Sequence, residues 1–372
     1  MLKAIIISNI HSPSTGGGVF TSIICKLMNK LTPVKIYYCR SDNIFMRIIN
    51  LFVGYFIKKF PLKVAYYYNP KIAGVVTKVN NDDDTLIIID HLEAAWVLRF
   101  LNTDKKVYYV SHNDEAHLFR DRFFIDKPNF FYKALNYFFA KESDRINEFQ
   151  NDVVSRVRGV ISISSEQFLL HSKKHVILPP GFSYTPYWND FSESNTKKQS
   201  DKLKICFLGN INWWPNIRGL DWFIKHVFPC VSPVCELYLF GKGFEKSENN
   251  AKYKHIHGIH CMGFAEQLDM VWSQADVLIV PIFQGSGVNV KLAEIIYNRI
   301  PVITTSFALT PLLGCPQEKH GVWVADDKDE WINTINAIYE MEKIPRINAS
   351  LSDLFSENSQ ELLFNKFMDE SL

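Results

Sequence analysis

Short, strongly apolar runs recur along this chain, each followed by a polar or glycine-bearing turn and then an amphipathic stretch. Lys3 to Asn9, Thr85 to Asp90, Val107 to Val110, Leu203 to Leu208, Glu236 to Phe240 and Val277 to Pro281 read as strands of parallel sheets. Between them lie segments with helical spacing, including Val19 to Leu31, Leu220 to Val227 and the stretch after Asp329. Strand–helix alternation of this kind predicts an α/β chain with parallel sheets. Asp190 to Lys202 carries no apolar periodicity and reads as a linker. It comes after a Pro-Pro-Gly crossing at 179–181, so two domains are expected, over 1–185 and 200–348.

The most informative stretch runs from Ile279 to Ser306. A buried strand leads into Gly285-Ser286-Gly287, then a helix, then a second strand from Pro301 to Thr305. Ser286 or Asn289 is suited to cap the helix, with Lys291 near its first turn and Glu294 three residues further on the same side. Free backbone N–H groups, the positive end of the helix dipole and a lysine together suit an anion. A carboxylate one turn deeper suits hydroxyls, so the pattern fits a ligand with phosphates at one end and a sugar at the other. Lys291 and Glu294 also fit an ordinary surface pair.

This stretch resembles the donor-binding motif of glycosyltransferase family 4, in a Gly-Ser-Gly form. The common motif has a Glu at each end of a seven-residue spacer; here the second is Glu294 and the first position holds Ser286. The resemblance implies a GT-B fold: two Rossmann-like domains with parallel sheets facing a central cleft, and a C-terminal helix, about 350–372, crossing back onto the first domain. It further implies a retaining, hexosyltransferase-like enzyme that moves sugar from a UDP- or GDP-linked donor to an acceptor hydroxyl in cell-surface glycan assembly. By the same resemblance, donor contacts fall to Gly17, Gly18, Gly209, Asn210, Arg218, Phe264, Ser286, Gly287, Val288, Asn289, Lys291 and Glu294. His112, at the end of a strand and followed by Asn113 and acidic residues, would steady the transferred sugar, with Glu294 as its catalytic partner. A catalytically silent GT-B partner, an inverting transferase or a sugar-nucleotide epimerase on the same fold stays open, because fold alone does not fix function. Position 286 is the feature that favours the silent partner.

Composition narrows the setting. The 372 residues carry a formal charge of +2, which gives no overall pull toward nucleic acid. Seven scattered cysteines suit reduced core thiols, and no apolar run is long enough to span a bilayer. A cytoplasmic location is expected, or one at the inner face of the cell membrane. Two aromatic-basic stretches, Ile44 to Tyr68 and Phe123 to Lys141, fit either an aromatic core or contact with an anionic membrane, the latter suiting a glycan or lipid-linked acceptor. Asp82-Asp83-Asp84 reads as a solvated loop, and the imidazoles at 255, 257 and 260 alternate along a strand, so no metal site and no cofactor are expected. The glycine run at 16–18 lacks the dinucleotide spacing, which excludes a nicotinamide site there.

Overall fold

Isoleucine-rich runs form the centre of a first parallel sheet. Its strands are β1 (Lys3–Ser8), β2 (Val34–Tyr38), β3 (Thr85–Asp90), β4 (Val107–Ser111), β5 (Gly159–Ser162) and β6 (His175–Ile177). They pair in the order β2-β1-β3-β4-β5-β6, every pair parallel. β3 is buried along its whole length, as a strand covered on both faces must be. The structure is a computed structural model that describes residues 3–9, 16–40, 43–80, 82–102, 105–123, 130–164, 174–188, 195–197, 201–245, 247–285, 287–313 and 321–371.

After a short strand β7 (Asn195–Lys197), a second sheet contains β8 (Leu203–Leu208), β9 (Cys235–Phe240), β10 (Ile259–Gly263), β11 (Val277–Val280), β12 (Val302–Thr304) and β13 (Val322–Val324). Its order, β10-β9-β8-β11-β12-β13, is also parallel throughout. A last strand, β14 (Lys343–Pro345), pairs antiparallel with β7. The chain divides into two units. One holds Met1–Pro179, Ser286–Val288 and Glu361–Leu372; the other holds Pro180–Gly285 and Asn289–Gln360. Most of the C-terminal helix Glu357–Ser371 therefore belongs to the first unit, where Phe367 packs edge-on against Tyr108 with ring centroids 5.8 Å apart.

Each sheet has one topological switch point, where connections leave in opposite directions and open a crevice at the carboxyl edge. In the first sheet it lies between β1 and β3, and in the second between β8 and β11. Two helices that border these points start earlier than their sequence suggests. The first begins at Gly16 rather than Val19, so Gly17 and Gly18 form helical turn and not loop; their carbonyls accept from Thr21 Oγ1 (3.0 Å) and Ser22 Oγ (2.9 Å). The second begins at Trp214 rather than Leu220. Pro215 opens it, where the missing N–H would have had no helical partner anyway. Arg218 and Gly219 consequently sit on a helix.

The stretch Ile44 to Tyr68 splits in two. A helix over Ile44–Phe52, capped by Asn43, turns its apolar face outward: Ile44, Phe45, Ile48 and Phe52 are all more than half exposed, as are Phe56 and Ile57 beyond it. Phe60, Val64, Ala65 and Tyr68 instead enter the core. Lys63 is drawn inward between two carboxylates. The second stretch divides likewise, with residues 124–129 outside those described: Phe123 and Phe139 stack at 4.8 Å, whereas Phe130 and Tyr137 are exposed. The six described cysteines are unbridged, and Cys315 lies outside the described residues.

Gly219 lies so close to the Pro281 carbonyl that a Cβ would overlap it, which locks helix Trp214–His226 onto the loop after β11. We expect Gly219→Ala to cost about 1–3 kcal/mol by forcing the two apart. A urea titration against wild type checks this, with an unchanged midpoint as the contrary result.

Candidate active site

In the second unit, the helix Val290–Tyr297 starts beside the β8/β11 switch point. Asn289 supplies the cap, its Oδ1 accepting from the N–H of Lys291 and of Leu292, each at 3.1 Å. Ser286, the other candidate cap, lies outside the described residues. Lys291 Nζ donates to Glu294 Oε2 at 2.8 Å, with the lysine side chain 44% exposed and the carboxylate 12%. A surface pair would leave both ends in water; here the glutamate is anchored from its other side, because the Tyr184 hydroxyl donates to Glu294 Oε1 at 3.2 Å. Asn298 Nδ2 in turn donates to the Tyr184 hydroxyl at 3.0 Å. Burial, with the Glu294 charge alongside, pushes the Tyr184 phenol pKa up, so it stays a donor at any ordinary pH. Tyr184 and Asn298 escaped the sequence reading because a tyrosine and an asparagine with no motif around them carry no signal.

The remaining second-unit candidates take varied positions. Arg218 donates to Gln284 Oε1 at 3.1 Å and lies over the Trp214 ring at 4.7 Å. Gly209 comes directly after β8 and is crowded by Gly241, whose φ of 130° only glycine adopts freely. Asn210 accepts through its side chain from the Asn212 N–H at 2.9 Å, which fixes the turn. Phe264, just beyond β10, is 64% exposed. Gly287 has φ 80° and groups with the first unit, as does Val288; a Cβ at Gly287 would strike the His112 carbonyl and the Asn113 side chain.

In the first unit, the switch point is lined by side chains from three strand ends. Asp90, closing β3, is fully buried; its Oδ2 accepts from Ser8 Oγ (2.6 Å) and Thr21 Oγ1 (2.7 Å), and its Oδ1 lies 2.7 Å from His112 Nε2. His91 comes next with φ 72° and ψ 150°, a backbone region almost reserved for glycine. Its ring stacks on that of His112 with centroids 3.4 Å apart, while Phe20 meets His112 edge-on. Nearby, the Lys63 ammonium joins Glu115 and Glu93, the latter at 3.3 Å, and Asn113 Nδ2 donates to Glu115 Oε1 at 3.1 Å. Of these only His112 stood out in the sequence. Asp90 and His91 read as the tail of an apolar strand.

Asp90, His91 and His112 bring three ligand-type atoms within 4.8 Å of one another. They do not make a good ion cage. Both Asp90 oxygens are already engaged, and two imidazoles stacked face to face aim their lone pairs in their own planes rather than at a common point. Elsewhere, His260 stacks on Tyr238 and His255 contacts the Ala251 carbonyl, and these imidazoles form no metal group among the described residues.

The charges around His112 oppose one another. Burial and the facing His91 outweigh Asp90 and push the His112 pKa down to about 4. Burial would lower His91 too, but there the Asp90 carboxylate wins and the pKa is raised. Asp90, despite burial, is held well below the usual carboxylate range by the two imidazoles. A folded His112 refuses a proton that the unfolded chain accepts between pH 6.5 and about 4. Its stabilising share is complete above that window and lost as pH falls through it. The share from His91 runs the other way, present below pH 6.5 and lost as pH rises through its folded value. We expect His112→Gln to flatten the acid-side fall in Tm between pH 6.5 and 4; parallel profiles for variant and wild type would contradict this.

Comparison with known proteins adds a family and a fold. Residues 202–341 match the family described as Glycosyl transferases group 1. An "Uncharacterized 44.6 kDa protein in cps region" of Klebsiella pneumoniae is 25% identical over 204 residues, 52% of this chain and 50% of that one. The match thus spans half the length of that relative. Among solved structures, sucrose-phosphate synthase from Thermosynechococcus elongatus superposes with a TM-score of 0.67 at 13% identity, covering 100% of this chain and 99% of that one. Anabaena HepE in complex with UDP and glucose gives 0.64 at 13% identity over 99% and 100%. The pneumococcal O-GlcNAc transferase GtfA, with UDP and GlcNAc, gives 0.53 at 15% identity over 83% and 60%. Residues 202–341, which hold Arg218, Lys291 and Glu294, carry the match to the group 1 family, and the chain has the GT-B fold of these structures.

Proposed function

We propose that this chain is a retaining glycosyltransferase that moves a sugar from a UDP-linked donor to a hydroxyl of a glycan or lipid-linked acceptor in cell-surface glycan assembly. The observation that carries the reading is the helix start at the second switch point, with Lys291 and Glu294 side by side and Tyr184 behind the carboxylate. Structures of similar fold hold UDP, and the Klebsiella relative is named for a cps region, which supports a uridine donor and a surface-glycan role.

The charges dictate the course of the reaction. Loss of nucleoside diphosphate from the anomeric carbon leaves negative charge on phosphate and positive charge on the sugar. Lys291, Arg218 and backbone N–H groups near Gly287 and Val288 stabilise the first. An incoming diphosphate competes with Glu294 for the Lys291 ammonium, and the Tyr184 hydroxyl keeps the freed carboxylate aimed at the ribose hydroxyls. Phe264 offers an exposed ring for the base, and His112 receives a sugar hydroxyl. No cofactor or metal is needed for this scheme, since cationic side chains neutralise the leaving group.

Lys291→Ala should weaken UDP binding by about 10–100-fold, the value of one charge-assisted hydrogen bond of about 1.5–3 kcal/mol. Calorimetry with UDP and GDP measures this, and release of free UDP from UDP-sugars reads turnover. UDP binding without turnover for any acceptor would favour a silent partner; no binding of either nucleotide would remove the donor assignment.

The outward face of Ile44–Phe52 and the exposed rings of Phe130 and Tyr137 are assigned to an anionic membrane. Between Ile44 and Phe60 the chain has Arg47, Lys58 and Lys59 and no acidic residue; between Phe130 and Lys141 it has Lys133 and Lys141 and none. The two stretches adjoin at Glu142, which accepts from the Tyr55 hydroxyl at 3.2 Å and the Leu62 N–H at 2.6 Å. No helix among the described residues is long and apolar enough to cross a membrane, so contact would be peripheral. Flotation with phosphatidylglycerol vesicles should carry wild type upward and leave Ile48→Asp/Phe52→Asp at the bottom; wild type that ignores such vesicles defeats the assignment.

A further inference from the structure

We propose that Asp90 and His91 are positioning residues that hold His112 in one tautomer, with Nε2–H toward Asp90 and the Nδ1 lone pair fixed as acceptor for a hydroxyl of the bound sugar. This rests on His112 being the sugar contact of the transferase reading, and it assigns roles to two residues outside the donor motif.

Three geometric observations carry it. First, Asp90 accepts from Ser8, Thr21 and His112 at 2.6, 2.7 and 2.7 Å, so its oxygens have no room for a proton of their own. A carboxylate in that state only accepts, and the hydrogen on the 2.7 Å contact must sit on His112 Nε2. In a neutral imidazole the other nitrogen is then a bare acceptor. Second, His112 Nδ1 is buried and has no partner among the described residues. An unpaired buried polar atom is costly, and a ligand hydroxyl would recover that cost. Asn9 Oδ1 and Glu93 Oε2, from the ends of β1 and the segment after β3, are buried acceptors in the same state. The three share a sign: each waits for a donor, and a sugar is a carrier of hydroxyl donors.

Third, His91 is held at φ 72° and ψ 150°, a strained setting for a side-chain-bearing residue. That strain persists with the ring stacked on His112 at 3.4 Å and Nδ1 3.2 Å from Asp90 Oδ2. His91 shares the aspartate and blocks one face of the second imidazole. Burial first, and then the facing His91, whose pKa Asp90 raises, disfavour a second proton on His112. Asp90 thus selects the tautomer, and His91 keeps His112 from taking a second proton.

The test reads the tautomer directly, in the full chain and without substrate. Long-range proton–nitrogen NMR of histidine-labelled protein, with His112→Gln and His91→Gln spectra for assignment, should give His112 a protonated Nε2 and an unprotonated Nδ1 at pH 7. The opposite tautomer, or a fast average of both, would overturn the proposal. Zinc that perturbs His91 and His112 together at stoichiometric addition would overturn it as well, in favour of a metal site. Asp90→Asn should shift the tautomer balance and lower kcat for donor turnover by about 100-fold through a misplaced contact, with KM for the nucleotide-sugar unchanged. Because Asp90 is buried and its variant is at risk of misfolding, His91→Gly provides a second route. Glycine suits the φ of 72°, and its loss of charge should raise the His112 pKa above about 4 in an NMR titration. No rise would count against the role of His91. A correct tautomer in a protein that turns over no donor sinks the transferase reading and the sugar contact with it, and leaves the positioning of His112 by Asp90 standing.

Discussion

A parallel sheet sends every strand's carboxyl end to the same edge, and each unit places its reactive side chains where the connections from that edge diverge. The backbone carbonyls and N–H groups of inner strands are consumed by the ladder, so chemistry is confined to the residues just beyond the last paired position. In the first unit Asn9, His91 and His112 lie there, next to Asp90 at the last paired position of β3; in the second Gly209, Asn210 and Pro281 lie there. The apolar runs that fill β1, β3, β8 and β11 are what fix these positions. Burying each isoleucine or leucine contributes about 1.5–3 kcal/mol, so a register slip that moved Asp90 away from Ser8 would also expose core.

Much of this layout is legible in the amino-acid sequence because period and composition act locally. Runs such as Thr85–Asp90 and Val277–Val280 have few alternatives to a doubly covered strand. The helix starts were harder to read. Gly16 to Gly18 and Pro215 look like loop, yet a glycine is allowed in a first turn and a proline is favoured there, so both were absorbed into helices. Residues that belong to one contiguous motif, Asn289, Lys291 and Glu294, were visible together. Tyr184 and Asn298 complete the carboxylate's surroundings from positions far apart in sequence, and only the fold brings them to one place. Lys63 was misleading for a related reason. It stands among surface-type cations, but Glu93 and Glu115 offer a buried pair of carboxylates that only tertiary structure reveals.

Charge inside the first unit is balanced rather than absent. Lys63 compensates Glu93 and Glu115, and its own pKa is raised because the two carboxylates overcome the effect of burial. The pair does not respond evenly. Lys63 and His91 outweigh burial at Glu93 and lower its pKa, whereas at Glu115 burial prevails and the pKa is raised. Removing any one member would strand a buried charge, which is costly in a way that removing the whole group is not. Such clusters are poor stabilisers and good positioners. The geometry of His91 and Glu93 is therefore set by a network that has little freedom to relax.

The two units differ in the sign of what they offer a ligand. In the first unit three buried acceptors have no partner among the described residues: Asn9 Oδ1, Glu93 Oε2 and His112 Nδ1. In the second, the prominent groups are donors: the Lys291 ammonium, which Glu294 shares, and the Arg218 guanidinium. Hydroxyl-rich sugar suits the first set and phosphate suits the second. A nucleotide-sugar contains both, and its reactive bond lies where the one chemistry gives way to the other. Uniformly cationic surroundings would bind phosphate as well but would leave sugar hydroxyls unread.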